Sequence, residues 1–66
     1  MKIMIDKEND TLYVKLSAQS ITESEEVRTD MIVDYDNQNR IVGIELLNIS
    51  HHVSLDELAS QPLEAM

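Results

Sequence analysis

The strongest constraint on the fold is an alternation of apolar and polar residues that occurs twice in the chain. Alternation with a period of two, rich in β-branched residues, is typical of half-buried β-strands. In each copy a short polar stretch separates two alternating segments, so each copy is predicted to form a β-hairpin. The apolar positions of the second segments correspond one to one: Leu12, Val14 and Leu16 in the first copy, and Val42, Ile44 and Leu46 in the second.

Both polar stretches run from an aspartate to an asparagine, Asp6 to Asn9 in the first copy and Asp36 to Asn39 in the second. An aspartate side chain can open a turn by accepting backbone hydrogen bonds, and asparagine tolerates the left-handed backbone that closes it. We therefore expect two similar hairpins, each with a four-residue loop.

The length of the second loop determines which residues pair across that hairpin. A four-residue loop pairs Tyr35 with Arg40 and so places Val33 opposite Val42. A three-residue loop would scatter the apolar side chains over both faces, because one step of slip reverses every residue. The even loop is therefore the predicted one.

The segment between the hairpins, residues 17–30, is polar and acidic. Its part around 21–27 is either an edge strand or a loop, and the alternation does not decide between the two. In an edge strand, Glu23, Glu25 and Glu26 would discourage pairing with other chains.

The C-terminal part favours a short helix. Ser54 and Glu57 have the spacing of a capping box, in which each residue satisfies a backbone N–H of the other. Pro62 lacks an N–H and restricts the residue before it, so the helix is predicted to end at 61. The last residues, 62–66, are expected to be a loose tail.

These elements predict a single small α+β domain that covers residues 1–66. Its β-rich part, residues 1–50, is expected to be an antiparallel meander of two hairpins. That makes about four strands, or five if the edge strand forms. One short C-terminal helix, residues 54–61, is expected to pack on the sheet, because a helix of about two turns is not stable alone.

The charge balance limits the kinds of partner. The chain has 13 acidic and 5 basic residues, which gives a formal net charge of −8. This opposes binding to a phosphate backbone and favours a basic protein, although the charge also serves plain solubility. No apolar run reaches the length of about 20 residues that a membrane span needs. A charged residue as early as Asp6 leaves no room for a signal-peptide core, so a cytoplasmic location is expected.

The last predicted strand points to a binding surface. Residues 41–47 are apolar on both sides, as in a strand that is covered on both faces. One short helix can cover only one side of a four-stranded sheet, so apolar residues remain for a second copy or another protein. The interface candidates are Met4, Tyr13, Ile32 and Ile41. The alternative is a sheet that curls on itself and covers them.

The spacing of four polar residues resembles a calcium-binding loop, but the residues around them do not fit one. Asp34, Asp36, Gln38 and Glu45 have calcium-loop spacing, yet the glycine position holds Asn39 and the flanks alternate as strands do. No metal site is predicted from these residues.

The sequence also contains few candidate catalytic residues. His51 and His52 are adjacent, but neighbouring side chains diverge and no third ligand stands at helical spacing; a metal shared across an oligomer is left open. The one glycine, Gly43, lies inside a strand, where it permits close packing of an aromatic such as Tyr13 or Tyr35. We expect no cofactor and no enzymatic activity, with a metal-dependent enzyme that uses the two histidines as the less favoured hypothesis.

Three segments together resemble the small prokaryotic family known as domain of unknown function 2283: residues 10–14, 32–36 and 42–47, where Asp-Thr-Leu-Tyr-Val, Ile-Val-Asp-Tyr-Asp and Val-Gly-Ile-Glu-Leu-Leu stand. The resemblance covers residues 1–50. It implies a compact β-rich domain without established catalytic residues. Members are often encoded beside a small toxin-like protein, so the resemblance also implies an antitoxin-like partner of a basic toxin. Asn39 replaces the glycine that often closes the turn in this family.

Overall fold

The computed structural model of the protein describes residues 1–54, 56 and 57. They form one five-stranded antiparallel sheet with the strand order β1-β2-β5-β4-β3. A short 3-10 turn, Ile49–His51, follows the last strand. The strands are β1 (Lys2–Asp6), β2 (Thr11–Lys15), β3 (Glu23–Arg28), β4 (Met31–Tyr35) and β5 (Ile41–Leu46).

The two predicted hairpins form, and they lie side by side. Strands β1 and β2 make the first hairpin and β4 and β5 the second, while β2 pairs with β5. Val14 faces Ile44 in that central pairing. Because these two residues hold equivalent positions in the repeat, their pair marks a pseudo-two-fold axis that relates the hairpins.

The predicted fold class is wrong in three respects. The sheet has five strands rather than four, because β3 forms outside β4 even though all its residues are exposed. An edge strand needs backbone pairing more than apolar side chains, and so the alternation rule does not detect it. The sheet is also no simple meander, because the long connection from β2 to β3 leaves β5 between β2 and β4.

The α+β assignment is the third error, because the elements of the described chain are five strands and a 3-10 turn. Most of the predicted helix 54–61 and the whole predicted tail 62–66 lie outside the described residues. Of the capping box, the Glu57 N–H donates to Ser54 Oγ at 3.4 Å. Asp56 and Glu57 have helical backbone, but within residues 1–54, 56 and 57 no α-helix is an element of the fold.

The predicted register of the second hairpin is wrong by one residue at Tyr35 and by two residues at Val33. Tyr35 lies opposite Ile41, and Val33 lies opposite Ile44. Val42 is the extra residue of a β-bulge in β5, and it is only 1% exposed. Since the shift of Val33 from Val42 to Ile44 is two residues, the predicted faces are preserved from Ile44 to Leu46, whereas Ile41, before the bulge, lies opposite Tyr35 and so changes face.

Asp36 explains why the second loop is longer than predicted. Its Oδ1 accepts the backbone N–H groups of Gln38 and Arg40 at 2.9 Å each, and its Oδ2 accepts Arg40 Nε–H at 3.0 Å. These hydrogen bonds lower the pKa of the Asp36 carboxyl, chiefly through the Arg40 backbone. They draw Arg40 into the turn, so Ile41 becomes the first paired residue of β5. Asn39 has φ 61°, which confirms the predicted left-handed residue.

In the first hairpin the left-handed position is occupied by Asp10, with φ 55°, rather than by Asn9. Asn9 instead donates its backbone N–H and side-chain Nδ2–H to the Asp6 carboxylate, at 3.1 and 2.8 Å. Asp6 is opposite Thr11, so the four-residue loop lies one position later than predicted.

One face of the sheet, here called the core face, carries most of the apolar side chains. Directly opposed residues share a face, so the strand registers define its members. Leu12 and Val33 are buried on it, and Ile49 of the 3-10 turn is 3% exposed. The Ile49 N–H donates to the Asp10 carbonyl at 3.0 Å, which anchors the turn to the end of the first hairpin. The apolar strand residues of the core face are Ile3, Ile5, Leu12, Val14, Met31, Val33, Ile44 and Leu46.

Candidate functional site

The candidate functional site is a row of side chains that crosses the whole sheet on the face opposite the core face. Successive registers place one residue of each strand in line: Met4 faces Tyr13, Tyr13 faces Glu45, Glu45 faces Ile32, and Ile32 faces Glu26. We call these five residues the cross-sheet row. It combines three nonpolar or aromatic side chains with two carboxylates.

Three of the four sequence-predicted interface residues belong to this row. Met4 is 40% exposed, and Tyr13 and Ile32 are half-buried. Ile41 stands apart: it is opposite Tyr35 at the start of β5 and is 48% exposed. The alternation thus brought Met4, Tyr13 and Ile32 together correctly, while the bulge in β5 separates Ile41 from them.

The Tyr13 ring is fixed by contacts beneath the row. Its Oη donates to Asp34 Oδ2 at 2.7 Å, and Ser24 Oγ donates to Asp34 Oδ1 at 2.6 Å. To reach Asp34 on β4, the ring crosses Gly43 on β5. A Cβ built on Gly43 would collide with Tyr13 Oη and lie 2.7 Å from its Cζ. The predicted close packing of an aromatic ring on Gly43 is confirmed, with Tyr13 as that ring.

Burial, the hydrogen bond to Asp34 and the charges of Asp34 and Glu45, in that order of size, together raise the pKa of Tyr13 to about 12. The phenol is therefore neutral and donates a hydrogen bond throughout the physiological range. Asp34 is 7% exposed and receives both of its hydrogen bonds from hydroxyl groups.

Tyrosinate absorbance should detect this environment directly. We expect one phenol of the folded protein to titrate near pH 12, and the Tyr13→Phe variant to lack that component. Because the folded pKa lies above the unfolded value of about 10, the folded state holds this proton more tightly. Its contribution to stability is complete below pH 10 and is lost as the pH rises toward 12. A titration in which Tyr13→Phe leaves the highest-pH component unchanged would contradict the assignment.

The outer edge of β3 is strongly acidic. Glu23, Glu25 and Glu26 are all exposed, and none has a salt-bridge partner within the described residues. Glu26 also ends the cross-sheet row, whereas Glu23 and Glu25, opposite Tyr35 and Val33, lie on the core-face side of this edge. Of the two alternatives left open for this segment, the structure has the edge strand, and its three glutamates are exposed.

The residues of the calcium-loop pattern serve other contacts. Asp34 holds Tyr13 and Ser24, whereas Asp36 holds the turn before β5. His51 lies in the 3-10 turn, and His52 Nε2 lies 3.2 Å from Asp30 Oδ2. Within the described residues, no three histidine, aspartate or glutamate side chains are grouped as a metal would need.

The sequence did not predict the hydrogen bonds by which Asp10 and Asp30 hold the segment after β5 at one end of the sheet. Asp10 accepts the Ser50 backbone N–H at 3.0 Å and Ser50 Oγ–H at 2.7 Å. Asp30 accepts Asn48 Nδ2–H at 2.9 Å, and hydrogen bonds from Asn48 and His52 lower the pKa of its carboxyl. Both aspartates have positive φ and close a hairpin turn. Aspartate tolerates that backbone, but its spacing in the sequence does not show where the side chain binds.

The segments that resemble a known family lie in this sheet, on β2, β4 and β5. The family model described as protein of unknown function (DUF2283) matches residues 2–50, which include all five strands. The chain belongs to this family. No curated protein and no solved structure matches it. Among the described residues, no helix has the length and apolar character to cross a membrane.

Proposed function

We propose that this member of the family is a non-enzymatic protein-binding module, and that its partner is a basic protein that docks on the cross-sheet row. The observation that carries the proposal is the arrangement of Met4, Tyr13 and Ile32 in line with Glu26 and Glu45 across all five strands. Apolar contact area and acidic groups share one line, which is exposed at Met4 and Glu26 and half-buried between them.

Such a row fits the side chains of lysine and arginine. These side chains have an apolar stem and a charged head, so one residue can contact an aliphatic surface and a carboxylate at once. A stem that lies on Ile32 would bring its head between Glu26 and Glu45, the two neighbours of Ile32 in the row. An arginine would add bidentate hydrogen bonds to either carboxylate.

Charge also favours a basic partner at long range. The net charge of −8 and the free carboxylates of β3 create a field that speeds the approach of a cationic protein. The family resemblance agrees with a partner encoded nearby, since relatives are often found beside a small toxin-like protein. A toxin that cleaves RNA is typically basic, and neutralisation by an acidic cytoplasmic protein would follow from simple occlusion.

The test is co-expression with the product of each adjacent gene, followed by measurement of the dissociation constant for any complex. We expect Glu26→Lys combined with Glu45→Lys to weaken binding at least 100-fold. Glu8→Lys combined with Glu25→Lys is the matched control, because it changes the net charge equally but lies in the β1–β2 turn and on the core-face side of β3. We expect less than 10-fold weakening from that control.

Two results would contradict the proposal. One is the absence of any stable complex with the adjacent gene products. The other is equal weakening by the two double variants, which would mean that net charge alone attracts the partner. Thermal melts of the free variants separate a lost contact from a lost fold, and Glu26→Lys alone, on the exposed strand β3, remains informative if Glu45→Lys unfolds the chain.

A further inference from the structure

The two edges of the sheet differ in how well they are protected from pairing. The outer edge of β3 has three exposed glutamates and a bulge at Val27, between Glu26 and Arg28. Charges and bulges are the usual means by which edge strands avoid another chain. Strand β1, at the other edge, pairs with β2 in an unbroken register without a bulge, and its charged residues stand only at its two ends.

Strand β1 also exposes apolar side chains on both faces. Ile3 is 45% exposed on the core face, and Met4 is 40% exposed on the opposite face. Its two charged residues, Lys2 and Asp6, stand at its ends and have opposite signs. A regular, apolar strand with free backbone groups on one side is a template for a further strand.

The sequence of β1 is complementary to itself when it is read in the opposite direction. Antiparallel pairing of two copies about Met4 places Lys2 of each opposite Asp6 of the other. The same register places Ile3 opposite Ile5 and Met4 opposite Met4. Every pair shares a face, and each is either apolar or oppositely charged, which is the combination that stabilises neighbouring strands.

We infer that the occupant of the β1 edge is a second copy of this chain, joined through antiparallel pairing of β1 with β1 about a two-fold axis at Met4. The two five-stranded sheets then form one continuous ten-stranded sheet. The core faces join through Ile3 and Ile5, and the two cross-sheet rows join through Met4. The β1–β1 contact does not require the proposed basic partner.

The same contrast between edges explains why assembly stops at two copies. A symmetric β1–β1 contact uses up the unprotected edge of both copies, so the assembly closes. An open fibre would need β1 to pair with β3, and the glutamates and the bulge of β3 oppose that contact. The dimer therefore keeps acidic edges at both ends, which disfavours further growth.

A single cysteine at the axis tests the register. The chain has no cysteine, so Met4→Cys introduces one thiol per copy, and the two thiols lie opposite each other at the predicted axis. Opposed Cβ atoms in antiparallel strands are about 5 Å apart, near the separation that a disulfide requires. We expect mild oxidation to give a covalent dimer of Met4→Cys.

Two variants serve as controls for this cross-link. Val27→Cys places a thiol at a similarly exposed site, since Val27 is 43% exposed, but on β3. Lys2→Cys places it on β1, where the two thiols would be offset by about 13 Å along the strands in the predicted register. Neither should give a covalent dimer under the same oxidation. Cross-linking of Met4→Cys no faster than of Val27→Cys, or faster cross-linking of Lys2→Cys, would overturn the inference.

Sedimentation of the unmodified chain provides the second test. We expect a dimer at about 200 µM, and at least a 10-fold weaker association for Met4→Lys, which sets two ammonium groups against each other at the axis. Val27→Lys is the matched control and should leave the association unchanged. A strict monomer at this concentration, or equal weakening by both lysines, would refute pairing through β1.

Discussion

Replacement of Gly43 by alanine should destabilise the protein by about 3 kcal/mol, which for a domain of this size is roughly 15 °C in melting temperature. The added Cβ would occupy the space of the Tyr13 phenol, which crosses Gly43 to reach Asp34. The ring must then move, and the hydrogen bond to Asp34 is lost with it. Because small domains bury little surface and have a thin margin of stability, such a loss approaches global unfolding.

The Tyr13→Leu background provides the control for this prediction. Glycine inside a strand ordinarily costs stability relative to alanine, so Gly43→Ala should be neutral or slightly stabilising once the ring is absent. Urea denaturation of the four chains of this cycle measures the coupling between the two sites. A coupling below about 1 kcal/mol would mean that the ring does not depend on the glycine.

The alternating pattern predicted four of the strands, because each has apolar residues on at least one face. It did not predict β3, whose glutamates are exposed and whose formation depends on backbone pairing with β4. The alternating pattern also did not predict that β2 pairs with β5. Leu12 and Leu46 are far apart in sequence, and a local pattern does not specify which strands become neighbours.

The register error has a definite physical cause. The Asp36 carboxylate binds backbone groups as far along the chain as Arg40, and the bulge absorbs Val42. The side-chain chemistry of a turn residue therefore lengthened the loop. Val33 and Ile44 still lie on the core face as predicted, because Val33 is shifted by an even number of residues.

The cross-sheet row was partly predictable for the same reason. Met4, Tyr13 and Ile32 were grouped only because alternate residues of a strand lie on the same face, and that alternation holds in β1, β2 and β4. The bond between Tyr13 and Asp34 was not predictable from spacing, because β5 lies between their strands. Gly43 was the available signal: a glycine within a strand indicates that something must pass close to the backbone.

Asp34→Ala should be the most destabilising change of a polar residue on this sheet, by about 2–4 kcal/mol. Asp34 is 7% exposed and is the acceptor for both Tyr13 Oη and Ser24 Oγ. Hydrogen bonds to a charged group contribute more than neutral ones, and a half-buried phenol left without an acceptor adds a desolvation cost. Alanine also leaves unfilled space below the Tyr13 ring. Urea denaturation at neutral pH measures the free energy of unfolding.

The partners of Asp34 define the controls. We expect Ser24→Ala to cost less than about 1 kcal/mol, because Ser24 lies on the exposed edge strand and water can replace its hydroxyl. Glu25→Ala, an exposed carboxylate on the same strand, should be nearly neutral. The double variant Tyr13→Phe with Asp34→Ala should cost less than the sum of its parts, since each change removes the same bond. Strict additivity, or an Asp34→Ala effect no larger than that of Glu25→Ala, would show that the buried carboxylate does not hold the Tyr13 ring in place.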